Sequence, residues 1–118
     1  MRKTVGCLVC VAALAACATP SRYEWGDYER SLYGYARSPE LRDQYEQSLR
    51  DAIDVGEKTN RVAPGIYAEL GYLLLEEGDE RGAAEAFERE MELFPESRAF
   101  IERVMGRTTL ADNAETDR

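Results

Sequence analysis

Apolar residues recur at steps of three and four along most of this chain, the spacing that places them on one face of an α-helix. No segment alternates apolar and polar residues as a half-buried strand would. The helical pattern is interrupted at Ser38-Pro39, at a predicted polar link from Thr59 to Ala63, at Gly78-Asp79 and at Pro95. The sequence therefore predicts an all-α domain of about five helices over residues 23–105.

Residues that start or stop helices lie at these interruptions. Ser38 and Pro39 are typical of an N-cap followed by a first helical residue, and they begin the second helix. A third helix is predicted from Pro64 to Glu77, and Gly78 supplies its left-handed end. Asp79 caps the fourth helix, which Pro95 closes. The residues predicted to face inward are Trp25, Tyr28, Leu32 and either Tyr35 or Ala36; Leu41, Tyr45, Leu49, Ala52, Ile53 and Gly56; Ile66, Tyr67, Leu70, Gly71 and Leu74; Ala83, Phe87, Met91 and Phe94; and Phe100, Ile101, Val104 and Met105.

The two ends of the chain differ from this helical part. Val5 to Ala16 is apolar and uncharged and follows Arg2 and Lys3, which is the layout of a secretory signal. It is shorter than the roughly 20 residues that a membrane-spanning helix needs. We therefore expect residues 1–16 to be a cleaved signal peptide. Residues 106–118 are polar and aperiodic and predict a flexible tail.

Leu14-Ala15-Ala16-Cys17 resembles the lipobox of bacterial lipoproteins. The resemblance implies cleavage before Cys17, a thioether-linked diacylglyceryl group on its sulfur and a further fatty acid such as palmitate on its amine. Two or more acyl chains give stable anchoring, so residues 17–22 become a lipidated tether. Ala18, where inner-membrane lipoproteins carry Asp, implies the outer membrane of a Gram-negative cell. The alternative is an ordinary secretory signal in which Cys17 stands by chance.

Charge and cysteine content exclude several classes of protein. Cys7 and Cys10 leave with the signal, so the mature domain keeps one cysteine and has no intrachain disulfide. Removing Arg2 and Lys3 leaves 13 basic residues against 23 acidic ones, a net charge of −10. Nucleic-acid binding needs clustered basic residues, so we exclude it.

Catalysis is also not expected. The chain has no histidine, which is the commonest general base. It has no glycine-rich phosphate loop and no metal-ligand motif, and we expect none of its carboxylates to sit in a distinct apolar pocket that would raise its pKa. The sequence therefore predicts no catalytic residue, no cofactor and no metal site.

The third and fourth helices together resemble a tetratricopeptide repeat, a helix pair of 34 residues. The matching positions are Tyr67, Leu70, Gly71, Leu74, Gly78, Ala83, Phe87 and Pro95. Glu90 departs from the family, which prefers Ala there. The first two helices are either a degenerate second repeat or an unrelated pair. The resemblance implies a small helical-repeat array.

A separate resemblance, which includes the lipobox, spans residues 14 to about 105. Tyr23-Glu24-Trp25-Gly26-Asp27-Tyr28 and Pro64-Gly65-Ile66-Tyr67-Ala68-Glu69-Leu70-Gly71-Tyr72 look like a proteobacterial lipoprotein family catalogued as domain of unknown function 4810. Membership would imply an envelope complex with a curli-secretion-channel-like lipoprotein. The family offers no catalytic residue to carry over.

Tyrosines are the leading candidates for a partner-binding surface, since Trp and Tyr dominate interaction hot spots. Tyr23 and Tyr33 fall off the predicted stripe of the first helix, and Tyr67 and Tyr72 lie on the third helix. Trp25 has a second interpretation, namely contact with the membrane interface. The acidic residues Glu85, Glu88, Glu92 and Glu96 are either a site for a basic peptide or cation, or a solvated face on which Arg89 balances Glu85.

The function expected from the sequence is a lipid-anchored interaction module that faces the periplasm in an envelope or secretion-channel assembly. The first alternative is a structural or surface-exposed lipoprotein without a specific partner. The second is a cell-wall hydrolase.

Overall fold

A computed structural model of the chain describes the backbone of residues 21–116 and the side chains of residues 21–107. The predicted signal peptide, Cys17 and most of the predicted tether lie outside the described residues. The described part is all-α, as predicted, and contains no strand. Its helices are α1 (Tyr28–Arg37), α2 (Arg42–Thr59), α3 (Ile66–Glu77), α4 (Glu80–Leu93) and α5 (Arg98–Thr116), with 3₁₀ turns at Pro39–Leu41 and Pro95–Ser97.

The first two helices begin later than the sequence predicted. Gly26 has φ 53°, in the left-handed region, so Trp25 lies outside α1, which starts at Tyr28. Pro39 opens a 3₁₀ turn rather than α2 itself. Leu41 belongs to that turn, and its side chain is exposed, so its predicted inward position is wrong.

The link between α2 and α3 is not the polar segment that was expected. Val62 and Ala63 are buried. A Cβ on Gly56 would lie 2.9 Å from the Cα of Val62, so the link folds back against α2 where that helix has no side chain. Gly65 then adopts φ 91°, and α3 begins at Ile66 instead of Pro64.

The connection between α3 and α4 matches the prediction. Gly78 has φ 84°, and its N–H donates to the carbonyl of Leu75 at 3.0 Å. The Asp79 carboxylate accepts from the N–H of Gly82 at 2.9 Å, which caps α4. These local contacts reverse the chain within two residues.

The core lies between α2, α3 and α4, with one residue of α5 added. Its cluster is Tyr45, Leu49, Ala52, Ala63, Ile66, Leu70, Leu73, Leu74, Ala83, Phe87 and Ile101. Phe100 and Met105 are exposed although they were predicted to face inward, because Ile101 and Val104 occupy the face of α5 that packs on the core.

Helix α5 is longer than predicted. It continues past Gly106 to Thr116, where the sequence had suggested an aperiodic tail. Residues 107–116 contain neither proline nor glycine, so nothing in the covalent chain stops the helix there. Among the described helices, none is long and apolar enough to cross a bilayer.

Candidate functional site

A shallow groove opens between α3 and α5. Tyr72, Leu75 and Glu76 line it from α3, and Val104 and Arg107 line it from α5. The Tyr72 side chain is 52% exposed, whereas its neighbours Gly71 and Leu73 are buried. The groove therefore presents an aromatic ring and apolar side chains beside one acid and one base. Such a surface suits a peptide or a helix better than a small polar substrate.

Tyr67 lies in a different setting, beside a second shallow groove that reaches α2 and α4. Its hydroxyl donates to Glu57 Oε1 at 2.8 Å. Arg89 donates to both oxygens of Glu57 at 2.9 Å. Hydrogen bonding from Arg89 is the main reason that the pKa of Glu57 is lowered, while burial raises the pKa of the Tyr67 hydroxyl. Tyr67 thus helps to join α2, α3 and α4. Its hydroxyl is used for a hydrogen bond inside the domain.

Tyr33 is the most exposed of the four predicted tyrosines. It is 63% exposed on α1. The Arg37 guanidinium lies 5.3 Å from the ring centroid and donates to the Tyr33 hydroxyl. The ring remains open to solvent even though its hydroxyl has a partner.

Tyr23 packs into the domain instead of projecting from it. Its ring meets those of Trp25 and Phe94 edge-on, each at a centroid distance of 6.5 Å. The ring is partly buried against the core. The four tyrosines therefore occupy four separate environments, and the structure does not bring them together into one site.

The aromatic series continues from the N-terminal segment into the core. Trp25 and Tyr28 lie 5.6 Å apart, Tyr28 and Tyr45 6.1 Å, and Tyr45 and Tyr35 are stacked at 5.3 Å. Tyr45 is fully buried, and its hydroxyl donates to Glu69 Oε2 at 3.1 Å. Burial, followed by the charge of Glu69, raises the pKa of Tyr45. Tyr28 and Tyr35 thus pack as a stripe, while Trp25, at 36% exposure, forms its open end.

Two of the acidic residues on α4 pair with bases on the same helix. Glu85 pairs with Arg81 at 3.2 Å, and Glu92 pairs with Arg89 at 3.0 Å. Arg89 therefore does not balance Glu85, because it is turned towards Glu57 and Glu92. Within residues 21–107, no three acidic, histidine or cysteine side chains are arranged to hold a metal ion.

Glu90 is the residue that sequence reasoning missed. It is fully buried, and its Oε1 accepts the N–H of Gly65 at 2.7 Å and the hydroxyl of Ser97 at 3.4 Å. Its Oε2 has no hydrogen-bond partner among the described residues. Burial raises the pKa of Glu90, while the N–H groups of Gly65, Ala68 and Tyr67 and the Ser97 hydroxyl oppose that rise. A carboxylate from α4 thus meets the positive end of α3. The departure from Ala at this position was the only sequence signal of this contact.

Arg42 acts at the opposite end of α3. Its guanidinium donates to the carbonyl of Leu73 and to Glu77 Oε1, both at 2.5 Å. A cation at the C-terminus complements the helix dipole as the acid at the N-terminus does. Neighbouring helices therefore supply a hydrogen-bonding side chain at each end of α3, the helix that presents Tyr72.

Comparison with known proteins gives one match. A family model described as domain of unknown function (DUF4810) matches residues 22–104, more than half of the chain. No curated protein and no solved structure matches the chain. The matched range includes every residue of the core cluster and ends within α5.

Proposed function

We propose that this chain, which belongs to the DUF4810 family, is a lipid-anchored interaction module of an envelope assembly. In this proposal, lipid on Cys17 holds the domain to the outer membrane with the domain facing the periplasm. The groove between α3 and α5 receives a segment of a partner protein. A curli-secretion-channel-like lipoprotein is the partner that we propose.

The exposure of Tyr72 is the observation that carries the proposal. A tyrosine that is 52% exposed beside Leu75 and Val104 offers apolar area with little side-chain entropy to lose on binding. Glu76 and Arg107 at the same groove can orient a partner through charges of opposite sign. Since α3 is fixed at both ends by Glu90 and Arg42, the ring is presented from a rigid helix.

A second part of the proposal concerns the architecture. We infer that α3 and α4 form a tetratricopeptide-like hairpin. A Cβ on Gly71 would lie 2.7 Å from Phe87 Cε1, so the glycine permits the close approach that such a hairpin requires. The left-handed Gly78, the Asp79 cap and the turn at Pro95 support the same inference.

A pull-down from crosslinked, detergent-solubilised membranes tests the interaction. The wild-type chain should enrich a partner that Cys17→Ala does not. Tyr72→Ala should lower the recovery at least about tenfold, as loss of a hot-spot aromatic does. Tyr33→Ala is the matched control, since Tyr33 is equally aromatic and more exposed but lies outside the groove.

Two outcomes would count against the proposal in different ways. If wild type enriches nothing over Cys17→Ala, the domain has no specific partner and the structural-lipoprotein alternative is favoured. If a partner is enriched equally by wild type and Tyr72→Ala, the module binds elsewhere.

A further inference from the structure

The first described residues are bound to the link between α2 and α3. Arg61 Nη1 pairs with Glu24 Oε1 at 2.9 Å, and the same guanidinium donates to the carbonyls of Ser21 and Arg22. The N–H of Glu24 donates to the carbonyl of Arg61 at 2.8 Å, and Glu24 forms a parallel bridge with Val62. We call this set of contacts the Arg61 clamp. It fixes where the chain enters the domain.

The length of chain before the clamp limits the distance to the anchor. Cys17 precedes Ser21 by four residues. An extended chain spans at most about 3.5 Å per residue, so the Cα atoms of Cys17 and Ser21 lie within about 14 Å of each other. That is roughly half the thickness of a bilayer's hydrocarbon core. A lipidated Cys17 would therefore keep the clamp close to the headgroups.

The aromatic residues beside the clamp suit such a position. Trp25 follows Glu24 directly and is 36% exposed. Tyr23 joins it to Phe94 through edge-on contacts. Trp and Tyr favour the membrane–water interface because their rings are apolar and carry a polar group. The charge of Arg61 is paired with Glu24. This edge could therefore lie at the membrane interface without an unpaired positive charge.

We propose that Trp25 and the Arg61 clamp form the membrane-facing edge of the domain, with the Trp25 ring among the lipid headgroups and Tyr23 packed between Trp25 and Phe94. This inference rests on the proposed lipid anchor at Cys17. It adds an orientation, because one edge faces the bilayer and the rest of the domain is held away from it.

Trp25 is the only tryptophan in the chain, so its fluorescence reports on this edge alone. The experiment uses the full mature chain, purified from bacterial membranes and shown by intact mass to carry lipid. It is reconstituted in vesicles of phosphatidylethanolamine and phosphatidylglycerol. Lipids spin-labelled at the headgroup should quench Trp25 about twofold or more, and lipids labelled deep in the acyl chain should quench it less. Acrylamide in the water should quench Trp25 less than in the Cys17→Ala protein.

Variants test whether the clamp sets the orientation. Arg61→Ala should lose most of the headgroup quenching, and Glu24→Gln, which removes only the ion pair, should lose part of it. Arg81→Ala is the matched control, since it removes an exposed ion pair on α4. Circular dichroism should show unchanged helix content in all three variants.

The outcomes separate the two proposals. A chain without lipid by mass overturns both the anchor and the edge. A lipidated, vesicle-bound chain whose Trp25 is quenched by acrylamide and by neither labelled lipid overturns the edge alone. Unchanged quenching in Arg61→Ala overturns the role of the clamp.

Discussion

Where α3 meets α4, Gly71 lies under the ring of Phe87; where α1 meets α2, two serines share a hydrogen bond. A Cβ on Gly71 would stand 2.7 to 3.0 Å from three ring carbons of Phe87. Ser31 and Ser48 are both buried, and their hydroxyls are hydrogen-bonded to each other. One helix pair is thus closed by complementary shape, and the other by two hydroxyl groups, each of which also lies within hydrogen-bonding distance of a backbone carbonyl.

The two pairs differ again at one further position. Tyr45, Leu49 and Ala52 on α2 have the same spacing as Ala83, Phe87 and Glu90 on α4. Ala52 is a small buried residue near Gly26. Glu90 is a buried acid that reaches the N-terminus of α3. Similar spacing can therefore place either a methyl group or a carboxyl group in a buried position, and only the carboxyl group makes stability depend on pH.

Phe87→Ala should cause the largest loss in the free energy of unfolding. Removing a buried phenylalanine ring costs about 3–5 kcal/mol, because burial is lost and a cavity remains. The free energy of unfolding in urea measures the loss. Phe100→Ala is the same chemical change at a side chain that is 61% exposed, and it should cost far less. Equal losses in the two variants would show that Phe87 does not hold α3 and α4 together.

Gly71→Ala should cause the next largest loss of stability. The added methyl group must displace a buried ring, and overpacking of this kind costs about 1–3 kcal/mol. Gly106→Ala is the matched control, since a Cβ there meets nothing within 4 Å. It should raise stability by up to about 1 kcal/mol through helix propensity. A stabilised Gly71→Ala protein would contradict the close approach of α3 and α4.

Glu90→Gln should change how the stability of the domain depends on pH. The pKa of Glu90 is raised above its ordinary value of 4.5 because the carboxyl is buried. The folded state then binds this proton more tightly than the unfolded state, so the contribution is favourable at low pH. It is lost as the pH rises from the ordinary value through the raised one. Gln cannot ionise, so the variant should gain stability relative to wild type as the pH rises.

Urea unfolding of both proteins between about pH 5 and 8 measures this trend. Glu88→Gln, an exposed change on the same helix, should show no comparable gain. A wild type that gains stability over Glu90→Gln with rising pH would mean that the N–H groups of α3 outweigh burial.

The Ser31→Ala, Ser48→Ala double variant should have the smallest effect. Replacing both partners of a hydrogen bond by apolar groups of similar shape is nearly neutral, and the change should stay within about 1 kcal/mol. Thermal unfolding of wild type and the double variant measures it. A loss as large as that of Phe87→Ala would show that the α1–α2 pair depends on its two serines as strongly as the α3–α4 pair depends on Phe87.

Local chemistry explains which parts of the fold were predictable. The Gly78-Asp79 turn, the stop at Pro95 and the inward face of α3 depend on neighbours within a few residues, and the structure has them as predicted. Burial of Val62 could not be predicted, because it depends on the empty space beside Gly56.

The candidate site was less predictable than the fold. The sequence singled out Tyr72, but the groove around it exists only because α5 brings Val104 and Arg107 beside α3. Tyr23 and Tyr67 were predicted to bind a partner protein because of their residue type. In the structure they contact residues of the same domain that are distant in sequence, namely Phe94 and Glu57. Glu90 was visible only as a departure from a pattern, since its partner lies 25 residues away.

Both proposals depend on the lipid at Cys17, so a measurement of its incorporation tests them together. Cells that express the wild-type chain and Cys17→Ala are grown with radioactive palmitate, and the membrane fraction is collected. We expect a labelled wild-type chain in the membrane and an unlabelled Cys17→Ala chain. A soluble, unlabelled wild-type chain would contradict it.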